Sequence, residues 1–456
     1  MRLLLPRRGG GRGLRRLGGP IRLRTLAIGA GALALALSAC GEKDEPAEPR
    51  AQQTPTATPS ATPTEAPAPA PTPEPLWKSL ETRGKHIAVG ISESNPNFVS
   101  PSGTIPEPFA RWRDALGKMH PALYRLVVYW PSIQPKAGAP ADLDTLSSGC
   151  VRDKGPCAGY LGVRDQLRAL AARQSQGEGW EGFVVITGTP EWAARPPSGC
   201  ERSKIGPTNR MPRADALPAY RRLVRDILRA AKKEGATLRY WAPWNEPNHP
   251  YSSSPQRAAP CSAAQPSISA PPYIEVARTL KQALAKAPGD QGYVLGEVAV
   301  MVRRLPITTT VNEFLDALPP KLMCGARAWT QHTYIGGEDV VDDVDRRLKR
   351  KGCGDMPIWM TETGAGAPRT GTARTGGKAA ELRGCRSVNR VLKRWYRDPR
   401  ITAAVQYTLR EDDVFPTGLV TTDLTRAYPA LKAWQQWGLK ARERPEDPPP
   451  AKPRCG

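Results

Sequence analysis

The stretch Thr237-Leu-Arg-Tyr-Trp-Ala-Pro-Trp244-Asn-Glu246-Pro-Asn248 joins a short run of apolar and aromatic residues to a polar segment that carries a glutamate. A second stretch, Pro357-Ile-Trp-Met-Thr-Glu362-Thr-Gly364, has the same order of features. Aromatic and β-branched residues favour strands. A strand that is apolar along most of its length is typical of a parallel sheet buried on both faces. These stretches therefore predict two parallel strands, each with a glutamate at its C-terminal end.

The same kind of strand recurs through residues 85–440, separated each time by an amphipathic helical pattern. The predicted strands cover residues 86–93, 124–130, 182–188, 238–244, 293–300, 328–334, 357–362 and 403–408. The predicted helices cover residues 109–120, 163–174, 214–234, 272–287, 311–318, 340–351, 379–397 and 427–437. Eight strands alternating with eight helices predict an α/β fold, a single (β/α)8 TIM barrel. The alternative, an open doubly wound sheet, would need a glycine-rich phosphate turn after an early strand, and the sequence has none there.

Polar and aromatic residues recur where the predicted strands end, and they include Trp130, Trp192, Asn245, Glu246, His332, Tyr334, Glu362, Gln406 and Tyr407. In (β/α)8 barrels the active site is built at the C-terminal ends of the strands. Two carboxylates facing each other there are what acid/base and nucleophilic chemistry on a glycosidic bond requires. The alternative is a pair of salt-bridged structural glutamates, which is disfavoured because charged side chains are rarely buried without a partner or a purpose.

Five pieces of the sequence, taken in chain order, carry a family resemblance. They are Arg125 with Trp130, Thr189-Pro-Glu-Trp-Ala193, Trp244-Asn-Glu-Pro-Asn248, His332-x-Tyr334 and Trp359-Met-Thr-Glu362-x-Gly364. With them the chain resembles clan A of the glycoside hydrolases, especially families 5 and 39, over roughly residues 85–440. The third predicted strand departs from the family 5 pattern, because Gly188 and Thr189 stand where that family has a histidine.

The resemblance implies a retaining O-glycosyl hydrolase with Glu246 as general acid/base and Glu362 as nucleophile. Such an enzyme forms a covalent glycosyl-enzyme intermediate. The nucleophile must stay ionised, and Arg125 and the Tyr334 hydroxyl resemble the clan residues that serve it. The acid must be protonated near neutral pH, so we expect burial and the second carboxylate to raise the pKa of Glu246.

Substrate-binding residues are expected around the two glutamates. Asn245 resembles the clan asparagine that binds the sugar 2-hydroxyl, and His332 is expected beside the acid/base. Flat aromatic rings stack on the apolar face of a sugar, and the candidates are Trp130, Trp192, Trp244 and Tyr407. For Trp244 a core position and a site position are equally open, since buried aromatics are often structural. The sugar and its linkage depend on the loops 135–160, 194–213, 249–271 and 365–378.

Residues 1–39 predict a lipoprotein signal peptide. Eight arginines and no acidic residue accompany the apolar run 26–39, which is too short to span a bilayer comfortably. The run ends Leu37-Ser-Ala-Cys40, which resembles a bacterial lipobox. The resemblance implies cleavage before Cys40, lipidation of that cysteine and an anchor in the cell membrane. The alternative is an ordinary secretory signal peptide followed by an incidental cysteine.

The composition changes after Cys40 to a stretch rich in proline, threonine and alanine. Residues 40–76 are therefore expected to be a disordered linker. In polyproline II, at ~3.1 Å per residue, its residues 44–76 reach up to roughly 100 Å. The catalytic barrel is placed at residues 77–440 and a C-terminal tail at residues 441–456. The predicted order is an anchor, a tether and an enzyme on the extracytoplasmic surface of the cell.

Eight cysteines follow Cys40, and an even number in an exported chain predicts up to four disulfides. We expect Cys150–Cys157 to close a short loop and Cys200–Cys261 to join the loops after the third and fourth strands. A metal site is the weaker alternative, because the sequence has no Cys-x-x-Cys pair and contains only four histidines. The sequence therefore predicts neither a metal nor another cofactor.

The formal net charge is +23, of which eight charges belong to the arginines of the signal segment. A basic exported protein can concentrate near anionic lipids or acidic glycans, but arginines occur along the whole chain and mostly suit solvated helix faces. No nucleic-acid-binding motif occurs, and a monomer is expected. We predict a surface-anchored enzyme that cleaves a β-glycosidic bond in a poly- or oligosaccharide. The alternatives are a catalytically inactive glycan-binding lipoprotein and a transglycosylase of the same clan.

Overall fold

Parallel strands and helices alternate along the chain in the computed structural model, which describes residues 76–151, 155–201, 205–365, 377–412, 415–443 and 455. The predicted signal peptide, Cys40 and the linker up to residue 75 lie outside the described residues. The strands are β1 (Ala88–Ser92), β2 (Leu123–Tyr129), β3 (Leu146–Ser147), β4 (Tyr160–Leu161), β5 (Glu181–Thr187), β6 (Leu238–Ala242), β7 (Gly292–Tyr293), β8 (Leu295–Ala299), β9 (Trp329–His332), β10 (Ile358–Thr363) and β11 (Ile401–Tyr407). The short strands β3 and β4 form a separate antiparallel hairpin.

The helices are α1 (Leu76–Glu81), α2 (Pro96–Val99), α3 (Phe109–Gly117), α4 (Trp130–Ile133), α5 (Gly162–Ser175), α6 (Leu217–Glu234), α7 (Ala270–Leu284), α8 (Val311–Ala317), α9 (Pro320–Met323), α10 (Val341–Arg350), α11 (Gly377–Arg397) and α12 (Ala430–Glu443). All eight predicted helices are present, whereas α1, α2, α4 and α9 were not predicted, because single-turn helices leave little periodicity in a sequence. Within the described ranges, none of the helices is both long enough and apolar enough to cross a membrane.

The nine parallel strands form one sheet in the order β7-β6-β5-β2-β1-β11-β10-β9-β8. Tyr240 and Trp241 of β6 pair with β7, and Leu295 is the first residue of β8 that pairs with β9. Only Val294 separates β7 from β8, so the two segments are one barrel strand that changes partner. The prediction of an unbroken strand over residues 293–300 was wrong in this detail. With eight strand positions around the sheet, the predicted (β/α)8 barrel is confirmed.

Apolar side chains fill both faces of the sheet. Along β5, Phe183 and Val185 lie in a cluster inside the barrel, while Val184 and Ile186 belong to the larger cluster between the sheet and the helices. Burial on both faces accounts for the continuous apolar runs from which the strands were predicted.

Trp359 closes the N-terminal end of the barrel interior. Its ring is fully buried and lies edge-on to Tyr240, with ring centroids 4.8 Å apart, and to Phe183, with centroids 6.2 Å apart. Its Nε1 donates to the Leu80 carbonyl and to Thr402 Oγ1, both at 3.0 Å. Because Leu80 belongs to α1, that short helix covers the bottom of the barrel and satisfies the polar edge of the indole.

Prolines determine where two helices begin, and the predicted first residues of these two helices differ from the observed ones. The helix predicted at residues 214–234 begins as α6 at Leu217, with Pro218 in its first turn and a 3-10 turn, Ala214–Ala216, before it. The helix predicted from residue 272 begins earlier, because Ala270 leads into two prolines that the first turn of α7 accepts. A proline lacks the N–H that the first turn leaves unpaired in any case.

Four disulfides join Cys150 to Cys157, Cys200 to Cys261, Cys324 to Cys353 and Cys385 to Cys455. The first two pairs confirm the predicted connectivity, and the other two had not been paired from the sequence. Cys455 is buried although it lies near the end of the chain. Because four disulfides need an oxidising compartment, they agree with an exported protein.

We predict that Trp359→Ala lowers the free energy of unfolding by about 3–5 kcal/mol, since the barrel interior loses a large ring and Leu80 loses a donor. Chemical denaturation followed by circular dichroism measures the loss. Leu146→Ala is the control, because Leu146 is 74% exposed, and its effect should stay below about 0.5 kcal/mol. Equal effects of the two substitutions would contradict the role of Trp359 in closing the barrel.

Candidate active site

Glu246 and Glu362 lie together at the C-terminal end of the barrel. Glu246 follows the end of β6 at Ala242 by four residues, and Glu362 is the second-to-last residue of β10. One carboxylate oxygen of each glutamate lies within 4.8 Å of the other. The side chain of Glu246 is 22% exposed and that of Glu362 is 10% exposed, so both can be reached from outside. Two carboxylates at this separation can act on the same bond.

The carboxylate of Glu362 is held by two donors. Arg125 of β2 places Nη1 2.9 Å from Oε1, and the Tyr334 hydroxyl donates to Oε2 at 2.8 Å. Burial, followed by the negative charge of Glu362, raises the pKa of the Tyr334 phenol well above its ordinary value. Tyr334 is therefore a donor over the whole neutral range, and the two donors fix the orientation of both Glu362 oxygens.

His332, the last residue of β9, contacts three carboxylates. Its Nδ1 lies 2.9 Å from Glu246 Oε1 and 3.5 Å from Glu362 Oε2, and its Nε2 lies 3.2 Å from Glu297 Oε2. Burial opposes a charge on the ring, but the negative charge of Glu362 and the hydrogen bonds to Glu246 and Glu297 outweigh it and raise the pKa of His332 to about 10. His332 is therefore an imidazolium at neutral pH.

The pKa of Glu246 differs from the value expected from the sequence. Burial acts to raise it, but the hydrogen bond and the positive charge of His332 prevail, so the pKa lies below its ordinary value. The expectation of a raised pKa was wrong because His332, which was expected beside the acid/base, carries a positive charge in direct contact with Glu246, and its effect outweighs burial. The mobile proton of this pair resides on His332.

Glu297 is a functional candidate that the sequence analysis missed. It is fully buried, and its Oε2 accepts hydrogen bonds from Arg125 Nε at 2.9 Å and Nη2 at 2.6 Å. The pairing of β8 with β9 skips Glu297, since Gly296 pairs with Thr330 and Val298 with the next residue of β9. Such a bulge re-aims a side chain. The available clue was a Gly-Glu pair inside an otherwise apolar strand.

Two residues at the site, Glu246 and Glu297, have backbone dihedral angles in the left-handed region. The φ angles are 44° at Glu246 and 50° at Glu297, and the Glu246 N–H donates to the Glu297 carbonyl at 2.7 Å. Non-glycine residues in this region cost of order 1–3 kcal/mol each and cluster at functional sites. The surrounding barrel holds both glutamates in place against that cost.

Burial also shifts the pKa of Glu297, and here the cation prevails. Removal from water acts to raise the pKa, but the charge of Arg125, followed by the hydrogen bond from His332, lowers it to about 2. Glu297 is therefore ionised at every pH at which the protein is expected to work. The charge cluster of the site consists of Arg125, Glu246, Glu297, His332 and Glu362. Within it the side chains of Arg125 and Glu297 are both 0% exposed.

Asn245 and Tyr407 complete the group of predicted residues around the glutamates. Asn245 Oδ1 accepts a hydrogen bond from Arg125 Nη2 at 2.6 Å. Tyr407 ends β11 and is half-buried, and burial followed by the charge of Glu362 raises the pKa of its phenol. Phe415, which the sequence analysis missed, lies between two tyrosines: its ring centroid is 5.6 Å from that of Tyr407 and 6.4 Å from that of Tyr334.

Two of the predicted sugar-stacking tryptophans are part of the core. Trp130 has no exposed surface and lies edge-on to Tyr220 and Trp192, with centroid distances of 5.8 Å and 5.9 Å. Trp244 is also fully buried, and its Nε1 donates to the Ser252 carbonyl at 2.8 Å. The half-buried Trp192 keeps part of its ring accessible.

Gly188, which stands where family 5 has a histidine, occupies a position that a larger residue cannot take. Its φ is 72°, and a Cβ there would come within 2.5 Å of Tyr129 Cε2. The glycine therefore allows the exposed Tyr129 ring to pack over the end of β5.

Glu246, His332 and Glu362 also bring three ligand-type atoms within 4.8 Å of one another. A transition metal would need His332 as a neutral ligand. In the described residues, however, Nδ1 of His332 faces two carboxylates, and Glu362 is already bound by Arg125 and Tyr334. The donor set therefore suits proton transfer better than metal binding.

No protein-family model matches the chain, and no curated protein matches it in sequence. Among solved structures it is similar to a glucosidase from Croceicoccus marinus, with 13% identity and a TM-score of 0.52 over 80% of this chain and 69% of that chain. It is similar to a conserved exported protein from Bacteroides fragilis, with 12% identity and a TM-score of 0.52 over 80% of each chain. A family 39 glycoside hydrolase from Bacteroides cellulosilyticus also matches, with 15% identity and a TM-score of 0.46 over 78% of this chain and 64% of that chain. The first two likenesses show the barrel fold.

We predict that the free energy of unfolding falls as the pH rises from 6.5 to 10, by at most about 1.4 kcal/mol per pH unit. The pKa of His332 is raised on folding, so its contribution is complete below 6.5 and is lost as the pH approaches the folded value. Denaturant titrations at several pH values measure the slope. From pH 6.5 to about 9, below the range in which phenols ionise in the unfolded chain, the stability of His332→Gln should be nearly constant, and an unchanged slope would contradict a charged His332.

Proposed function

We propose that the chain is a retaining glycoside hydrolase that cleaves a β-glycosidic bond in a poly- or oligosaccharide by double displacement. The observation that carries this proposal is the separation of Glu246 and Glu362, whose nearest oxygens lie within 4.8 Å at the mouth of the barrel. Retaining enzymes hold their two carboxyl groups about 5–5.5 Å apart, whereas inverting enzymes need roughly 6.5–9.5 Å to admit a water between them. The fold shared with a glucosidase supports the same proposal.

Glu362 is the proposed nucleophile. One of its carboxylate oxygens attacks the anomeric carbon and forms an ester bond while the bond to the leaving oxygen breaks. The leaving oxygen takes the proton of Glu246, so no charge is left on the departing alcohol. The contacts from Arg125 Nη1 and the Tyr334 hydroxyl support this role, because they present Glu362 in one fixed orientation. In the second step water attacks the same carbon, gives its proton to Glu246 and releases Glu362.

The proton for the first step comes from His332. Its Nδ1 is 2.9 Å from Glu246 Oε1, so a single transfer converts an imidazolium and a carboxylate into a neutral imidazole and a carboxylic acid. A sugar bound over Glu246 removes the water around the pair, and loss of water disfavours the charged forms. The acid is thereby formed when the substrate is in place.

The proposed sugar contacts follow from the same cluster. Since Asn245 Oδ1 accepts from Arg125, the Nδ2 amide of Asn245 is the group that would donate to the sugar 2-hydroxyl. Such a contact strengthens toward the oxocarbenium-like transition state. Tyr407 and Phe415 form an aromatic wall beside Glu362, and the half-buried Trp192 is the remaining candidate for stacking. The loops expected to choose the sugar lie partly outside the described residues, at 152–154, 202–204 and 366–376.

We further propose that the enzyme is a surface lipoprotein with the order signal peptide (1–39), lipidated Cys40 and linker (40–76), barrel (77–440) and tail (441–456). The sequence around Cys40 supports the anchor, and the four disulfides support export. The helix α12 extends to Glu443, and the disulfide from Cys385 to Cys455 ties the tail to α11. Metabolic labelling with a fatty acid, compared with Cys40→Ser, tests the anchor.

Glu362→Ala should lower turnover on a panel of aryl β-glycosides by on the order of 10⁴-fold or more, because the variant lacks the carboxylate that forms the covalent intermediate. Azide should not restore a product with the retained anomer. In the unaltered protein a 2-fluoroglycoside with a good leaving group should leave a glycosyl adduct, found by mass spectrometry on the peptide that contains Glu362. An adduct on another residue, or full activity of the variant, would refute the assignment.

Glu246→Ala should lose about 10²–10⁴-fold in rate on substrates with poor leaving groups. With activated leaving groups it should still accumulate the glycosyl-enzyme, because departure then needs no acid. Glu338→Ala is the control, since Glu338 is exposed, and its rates should match those of the unaltered protein. Glycan binding without any turnover or adduct would favour the inactive surface lectin, and products extended by acceptor sugars would favour the transglycosylase.

A further inference from the structure

Glu297 has more contacts than a simple counter-ion to Arg125 requires. Arg125 already has Glu362 as a partner at 2.9 Å, so the buried guanidinium is paired without Glu297. Glu297 adds a contact in the other direction, to His332 Nε2 at 3.2 Å. Its backbone is fixed from both sides, because its N–H donates to Thr330 Oγ1 and its carbonyl accepts from the Glu246 N–H, each at 2.7 Å. The bulge therefore aims one carboxylate at His332 and one carbonyl at the acid/base segment.

We propose that Glu297 is a positioning residue that keeps one proton on Nε2 of His332 and so directs Nδ1 of that ring, with the transferable proton, at Glu246. The inference rests on the proposed function for the role of Glu246 as acid/base, but the proton placement on His332 is a separate property of the buried cluster. An ionised carboxylate accepts hydrogen bonds and cannot donate them. The Nε2 atom that faces Glu297 must therefore carry hydrogen in both charge states of the ring.

With Nε2 assigned, the mobile proton belongs to the Nδ1 contact. In one state it is on Nδ1, facing an ionised Glu246, and in the other it is on Glu246 Oε1, facing a neutral Nδ1. The exchange moves one proton between two atoms that lie 2.9 Å apart and leaves the total charge of the cluster unchanged. If Nδ1 held the fixed hydrogen instead, a neutral ring could not accept the proton that water gives to Glu246 in the second step. Glu297 thus keeps His332 able to take the proton back.

The charge of Glu297 also sets how tightly His332 holds that proton. The groups that face the ring are Glu246, Glu362 and Glu297. The groups that face these partners are Arg125, Tyr334, Tyr407 and His249, whose Nδ1 is 3.8 Å from Glu246 Oε2. Glu297 is the most deeply buried of the three carboxylates, with a side chain that is 0% exposed. Solvent screens its charge least, and its removal should weaken the basicity of the ring strongly.

The test is nuclear magnetic resonance of the imidazoles in the full chain, which has four histidines. Long-range proton–nitrogen correlations show which ring nitrogens carry hydrogen, and His332→Gln assigns the His332 signals. In the unaltered protein both nitrogens should be protonated at pH 8, and Nε2 should keep its hydrogen after the ring becomes neutral. In Glu297→Gln the titration midpoint of His332 should fall by at least about one pH unit, a tenfold loss of proton affinity.

Glu313→Gln is the matched control. Glu313 is a carboxylate with a pKa lowered to about 2, paired with Arg257 at 2.8 Å, and it belongs to α8 outside the charge cluster. Its substitution should leave the His332 titration unchanged. In kinetics, Glu297→Gln should shift the basic limb of kcat/KM to lower pH by the same amount as the His332 midpoint, with little change in KM, which a purely structural role would not do.

An unchanged His332 midpoint in folded Glu297→Gln would overturn the proposal, and so would a neutral ring with its hydrogen on Nδ1. The second measurement uses the unaltered protein, so it decides the question even if the variant does not fold. The two proposals fail separately. A shifted midpoint without any glycosyl adduct leaves the proton placement by Glu297 standing and refutes the hydrolase, whereas an adduct without a shifted midpoint does the reverse.

Discussion

The buried guanidinium of Arg125 is the interaction on which the arrangement of the site depends. Its side chain is 0% exposed and binds Glu297, Glu362 and Asn245, which come from three other strands or strand ends. An uncompensated charge in such a place costs several kcal/mol, so Arg125 must be present together with at least one of its carboxylate partners. The apolar lower barrel, closed by Trp359, supplies the rigid frame in which that balance of charges is possible.

In the proposed mechanism, the charge cluster separates two roles that similar side chains could otherwise share. Glu362 is bound by donors that favour one orientation, while Glu246 faces an imidazolium with which it can exchange a proton. Environment distinguishes the two carboxylates, as it does wherever titratable pairs divide acid and nucleophile between them. In that mechanism, a proton held on His332 lets Glu246 rest as a carboxylate and become an acid when a substrate covers it.

The fold and the meeting of Glu246 with Glu362 were predictable from sequence because both leave local patterns. Continuous apolar runs marked the barrel strands, and Glu246 and Glu362 stood where those runs ended. Glu297 was not predictable in the same way, because it lies within an apolar run, and a bulge in the pairing of β8 with β9 decides where its side chain points. The register between neighbouring strands is not written in either strand alone.

The same limit explains the other differences. Trp130 and Trp192 are both strand-end aromatics, yet packing against Tyr220 buries one of them completely. The lowered pKa of Glu246 depends on His332, which is 86 residues away in the chain. Contacts between distant strands decide both properties, whereas strand order and the positions of strand ends follow from local composition.

The bond between Cys385 and Cys455 joins residues 70 positions apart and encloses both β11 and α12. Closing a loop of that length removes unfolded-state entropy worth roughly 4 kcal/mol. The disulfide at Cys455 thus closes a covalent loop, anchored on α11, around the last strand and the last helix of the barrel. In a reducing compartment this disulfide does not form. The full resistance of the fold to unfolding and to proteases is therefore acquired only after export and thiol oxidation.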